Sequence, residues 1–194
     1  ARAEARFRTQ ALAHLHAGEH AALEQLAARQ WWLERFGRRH LIDDIRGVSA
    51  LAQGDAQAAR ARFAAALETA PPEARPRLSL SLARAERAAG LEAEAEGRLR
   101  ELLTHHSGVT GVQAELGRLL LARGDHAEAA ALLRAAVARG GQRAGGGLRL
   151  DLARALLASG QPDVAEVLSA AEASGADPDA VAALRARHQS TTAG

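Results

Sequence analysis

Three imidazoles stand close together near the start of the chain, His14, His16 and His20, and imidazoles so clustered can bind zinc. Gly18 falls between the second and the third and breaks any helix that would hold them on one face, so the cluster reads as packing. His105 and His106 close a helical pattern, where imidazolium suits the negative end of the helix dipole. Nucleophilic catalysis would need a Ser or Thr partnered by His and an acid, and no such arrangement is visible along the chain. Asp43-Asp44 sits at an expected helix start, where negative charge is favourable without any catalytic role. The run Gly140-Gly141-Gln142-Arg143-Ala144-Gly145-Gly146-Gly147 tempts as a phosphate loop. It lacks the Lys and the Ser/Thr that follows it, and no strand precedes it, so it is expected to be a flexible connection. These residues point away from an enzyme, a metal or any other cofactor.

Composition narrows the class further. The chain has 194 residues, 25 basic against 23 acidic, 47% hydrophobic and 3% aromatic, which suits one ordinary domain or a small array of repeats. Lys, Asn, Tyr, Met and Cys are absent, and Ile occurs only at Ile42 and Ile45. Amino acids with A/T-rich codons are thus missing, as expected of a high-GC, bacterial genome. The sequence pI near 10.6 accordingly reflects Arg in place of Lys, and a net charge of only +2 is no nucleic-acid signature. No apolar run reaches 18 residues, so membrane insertion is not expected. Ala1 in place of an initiator Met is what a processed or excised chain would show, and the compartment stays open.

Five glycines, most of them followed by a polar residue, recur as Gly18-Glu19, Gly54-Asp55, Gly90-Leu91, Gly124-Asp125 and Gly160-Gln161, at spacings of 36, 36, 34 and 36. Around each lie two stretches rich in Ala, Leu, Arg and Glu, all strong helix formers, and nothing alternates with the period of a strand. Seven residues before each glycine stands Ala11, Gly47, Ala83, Gly117 or Ala153; five after it stands Leu23, Ala59, Ala95, Ala129 or Ala165. Short side chains at paired positions let two antiparallel helices approach closely, and the glycine supplies the positive-φ turn between them.

This pattern resembles the tetratricopeptide repeat (TPR), a helix–turn–helix unit of 34 residues. The best copy is 110–143, through Leu116-Gly117, Leu120, Gly124-Asp125-His126, Ala129, Leu133 and Ala136. Copies at 40–73 (Gly47, Gly54-Asp55, Ala59, Phe63, Ala66-Leu67, Pro71) and 76–109 (Leu82-Ala83, Gly90, Ala95, Leu99, Leu102) follow it. Copy 146–175 matches through Leu152-Ala153, Leu156, Gly160, Ala165 and Leu168, with a short second helix; 4–37 is the weakest, with Phe7, Ala11, Gly18 and His20. His14 and His20 fall where the family carries large packing residues. The resemblance implies an all-α, right-handed superhelical solenoid of antiparallel helix pairs. A single domain would span 1–188, closed by a capping helix at 178–188, with 189–194 as a tail.

In such arrays the first helices line a concave groove. Residues 13, 10, 6 and 3 before each turn glycine share one helical stripe. The slot six before it reads Leu12, Val48, Arg84, Arg118, Arg154; Arg77 and Arg87 share the stripe in the third copy and Asp44 in the second. A ladder of guanidiniums can grip acidic side chains or a carboxylate. Equally, Glu115 stands three residues before Arg118 and Asp151 three before Arg154, so each Arg can be neutralised on its own helix. The Lys/Asn clamp by which some TPR domains hold chaperone tails is absent here.

Trp31, Trp32 and Phe36 gather three of the five aromatics and read either as core between the first two copies or as an exposed anchor, one Trp buried and one partly exposed. The expected function is a non-catalytic scaffold that holds a protein or peptide segment in its groove, an acidic one if the ladder is free. The resemblance extends to the TPR parts of bacterial secretion, pilus-assembly, polysaccharide-export and regulatory proteins. Self-assembly into a homo-oligomer is the alternative. A third class, RNA binding as in pentatricopeptide arrays, needs polar base-reading side chains where this stripe holds Leu, Val, Ala and Arg, so no nucleic-acid partner is expected.

Overall fold

The computed structural model describes residues 2–29, 33, 35, 38–106, 109 and 111–192. Trp31, Trp32 and Phe36 lie outside the described residues. Among those described there are eleven α-helices, one short 3-10 turn and no strand. In chain order the helices are α1 (Arg2–His16), α2 (His20–Ala28), α3 (Arg39–Ala52), α4 (Ala56–Thr69), α5 (Arg75–Ala88) and α6 (Glu92–His105). Then come α7 (Val112–Arg123), α8 (His126–Gly140), α9 (Gly146–Ala158), α10 (Val164–Ala173) and α11 (Pro178–Thr192). They form two compact units, Ala1–Arg98 and Leu99–Gly194, divided inside α6.

Each turn glycine does what its spacing implies: φ is +70° at Gly18, +79° at Gly54, +77° at Gly90, +99° at Gly124 and +66° at Gly160, values that L side chains resist. In unit 1, α3 then packs on α4, and α4 on α5. The small slot explains how closely: a Cβ on Gly47 would lie 2.7 Å from the Phe63 ring, itself fully buried. Asp55 fixes the start of α4 by accepting a 2.9 Å hydrogen bond from the Ala58 amide. The core of this unit gathers Phe7, Ala11, Leu23, Leu33, Leu41 and Ile42 in one cluster and Ala59, Phe63, Leu82 and Ala85 in another.

Unit 2 repeats the device. The helix pair α7–α8 closes over Gly117, where a Cβ would meet Leu133 Cγ at 2.7 Å, and Leu116, Leu120, Leu133, Leu156 and Leu168 are buried. The expected flexible connection is folded instead. Helix α8 runs to Gly140, Gly141–Arg143 make a 3-10 turn, and α9 starts at Gly146. Gly146 is jammed against the α10–α11 turn: a Cβ there would stand 2.2 Å from the Ala176 amide nitrogen. Its own amide donates to the Ser174 carbonyl at 3.1 Å.

Two further expectations need correction. Ala165 matches the small slot of the last copy in sequence but is exposed, and Val164 is buried in its stead. The reason lies in Gln161–Pro162–Asp163: Asp163 adopts φ +77°, which Asp tolerates better than most residues, and the second helix starts late. Asp43 and Asp44 do not start a helix either, because α3 begins at Arg39. Both are buried, and guanidiniums rather than the dipole neutralise them; Asp43 lies 3.4 Å from both Arg39 and Arg62. Helix α11 continues past His188 to Thr192, with Asp177 accepting from the Asp179 amide at its start.

Candidate functional site on the first helices

In unit 1 the stripe is a recess. A cavity of about 280 Å³ is lined by Arg8, Leu12, Leu15, Leu41, Asp44, Ile45, Val48 and Arg77. All but Ile45 occupy slots 13, 10, 6 or 3 before a turn glycine. Among the described residues the exposed large hydrophobics are Leu12, at 51%, and Val48, at 39%, and both stand on this wall. Such side chains in contact with water are ordinary when scattered; gathered in one recess they mark a contact surface.

The polar end of the recess is wired. Arg77 reaches from α5 to Asp44 on α3 with two parallel hydrogen bonds, Nη1 to Oδ1 at 3.2 Å and Nη2 to Oδ2 at 2.6 Å, so the Asp44 charge is spoken for. Arg8, exposed on α1, has no ion-pair partner among the described residues. One turn before Asp44 on α3 stands His40, buried, its Nδ1 without a hydrogen-bond partner among the described residues. Burial first, then the charges of Arg38 and Arg8, lower its pKa from the ordinary histidine value, with Arg77 adding to this and Asp44 opposing it.

In unit 2 the stripe carries an ion network. Arg118 donates from Nε to Asp151 Oδ2 at 2.7 Å and from Nη1 to Glu115 Oε1 at 3.2 Å. Arg154 donates to the other oxygen of Asp151, Oδ1, at 3.0 Å. Burial works against the charge on Arg118, but the bonds and charges of Asp151 and Glu115 outweigh it and hold the pKa above the usual arginine value. A recess of about 320 Å³ also opens here, lined by Leu121, His126, Arg154, Leu157, Leu184 and Arg187. Its leucines are buried or half-buried, so it lacks the open apolar mouth of unit 1.

Of the residues singled out by sequence, then, Asp44 and Arg77 are brought together at the recess, and Arg118 and Arg154 meet over one carboxylate. Arg84 and Arg87, on α5, also make polar or electrostatic contacts of their own. The intrahelical pairs Glu115–Arg118 and Asp151–Arg154 form as the spacing suggested. The cross-helix ties were missed, although both couple opposite charges 33 residues apart, close to one repeat. Arg8, Leu15, Leu41 and Ile45 were missed too; reading the other three stripe slots beside the sixth would have given three of them. The histidine cluster is taken apart: His14 pairs with Glu19 at 2.7 Å and His20 with the Ser49 hydroxyl at 2.8 Å. Among the described residues no group of three His, Asp or Glu could hold a metal ion.

No protein-family model and no curated protein matches the chain. Two solved structures do. One is a single-substitution, glutamine-to-methionine form of a putative kinesin light chain from Podosopora anserina with nearly identical TPR-like repeats, at 24% identity over 88% of this chain and 94% of that one, TM-score 0.63. The other is the same protein without that substitution, at 24% identity over 96% and 98% of the two chains, TM-score 0.61. The fold is therefore that of a TPR-like helical-repeat protein.

Proposed function

We propose that this protein is a non-catalytic scaffold that binds a segment of another protein along the stripe of its first helices. The observation that carries this reading is the placement of Leu12 and Val48. Exposed apolar side chains cost solubility, and here the large ones described converge on a single recess of the face that helical repeats use for binding. Arg8 and Arg77 give that recess its polar end and would set register and partner choice more than raw affinity. No described helix is long and apolar enough to cross a membrane.

The test is a display selection of random peptides against the intact chain. Enriched peptides should bind the chain in solution and lose at least about tenfold in affinity, or about 1.4 kcal/mol, on Leu12→Asp/Val48→Asp. They should keep their affinity on Arg60→Glu, a change on the second helix α4. Peptides indifferent to every first-helix change would overturn the reading.

A further inference from the structure

We infer that the recess of unit 1 takes an extended acidic segment in which an apolar anchor and an Asp or Glu lie two residues apart; this rests on the function proposed above. The recess has a volume of about 280 Å³. Its chemistry divides along the helices. Leu12 and Val48 form the exposed apolar end together with half-buried Leu15, and buried Leu41 and Ile45 complete the lining. Arg8 and the Arg77–Asp44 pair form the polar end.

Charge decides what the polar end accepts. Asp44 is held through both oxygens by Arg77, so that pair presents little net charge, while Arg8 adds a positive one that no described residue matches. A carboxylate is the complement that leaves no unpaired charge at the rim, and a cation would be repelled. Spacing follows from helix geometry. Arg8 and Leu12 stand four residues apart on α1, so their side chains are neighbours along the axis, about 6 Å apart. In an extended chain residues i and i+2 point the same way and lie about 6.6 Å apart, at about 3.3 Å per residue. Adjacent residues point to opposite sides and cannot fill both ends.

Blocked seven-residue peptides test this on the intact chain by methyl NMR. Ser-Gly-Leu-Ser-Asp-Gly-Ser should shift the methyls of Leu12 and Val48. Replacing its Asp by Lys should weaken binding about tenfold, the weight of one charge-assisted hydrogen bond. Moving the Asp next to the Leu should weaken it clearly as well. Arg8→Gln, with helicity checked by circular dichroism, should abolish the preference for Asp over Lys while leaving the Leu contact. Equal binding of the Asp and Lys peptides overturns the inference, as does the absence of methyl shifts at Leu12 and Val48. If either happens while display-selected peptides still depend on first-helix residues, only the inference falls. If those peptides also ignore the first helices, the proposed function falls with it.

Discussion

The two halves of the stripe have the same helical slots and use them differently. In unit 1 the slot six before the turn glycine holds Leu12, Val48 and Arg84; the first two stand beside Arg8, unmatched among the described residues, and the result is an open recess. In unit 2 that slot holds Arg118 and Arg154, and both close on Asp151. Each half also ties successive first helices by one Arg–Asp pair, Arg77–Asp44 and Arg118–Asp151. The lesson is that arginines spaced by a repeat are not in themselves a binding ladder. Whether one is available depends on the acid that the neighbouring repeat supplies.

Several changes would break or sharpen this contrast. The largest effect is expected at Gly146→Ala, which drives a methyl into backbone at Ala176 with no side chain able to yield; chemical denaturation should show unit 2 losing about 3 kcal/mol. Gly47→Ala and Gly117→Ala test the same slot in each unit. The overpacking cost of about 1–3 kcal/mol, offset by about 1 for helix propensity, leaves about 0–2, with the upper end at Gly47, where the Phe63 ring cannot bend away. Asp151→Ser should cost about 1 kcal/mol, since the ions are only partly buried, yet release Arg154 and leave Arg118 with Glu115 alone. Acidic peptides should then bind unit 2 more tightly than in the parent chain, as titration at low and at high salt would show.

A pH effect belongs to unit 1. The folded chain keeps His40 neutral at pH values where the unfolded chain, with a pKa of about 6.5, protonates it. The unfolded state therefore binds more protons, so the contribution of His40 is full above about pH 6.5 and falls as pH drops below that towards the lowered pKa. Thermal melts between about pH 7.5 and about pH 5.5 should show this slope, and His40→Gln should reduce it. The smallest effect on stability is expected from Leu12→Ser, within about 0.5 kcal/mol because the side chain is exposed, although it should remove peptide binding.

Much of the fold was legible because a repeat multiplies weak signals. One glycine between two helical stretches says little, whereas five at a spacing near 36 set the turns, and the small residues seven before them gave the close contacts at Gly47 and Gly117. What broke the periodicity was harder to read. Gly146 looks like part of a flexible run because nothing nearby in sequence announces that Ala176 will press on it. The late start of α10 depends on the left-handed Asp163, a conformation the type of residue permits but does not require. For the site, the pattern supplied the stripe but not its occupancy: i,i+3 pairs are visible along one helix, whereas Arg77–Asp44 and Arg118–Asp151 require knowing how far successive first helices stand apart.

The central claim is that a partner segment seats on the first helices of unit 1 while those of unit 2 are satisfied internally. It is tested most directly by photo-crosslinking a display-selected peptide carrying one benzophenone residue to the intact chain and mapping the adducts by mass spectrometry. Adducts should concentrate on α1 and α3 around Leu12, Leu15 and Val48. Adducts concentrated on α7 and α9 around Arg118 and Arg154 would contradict the account.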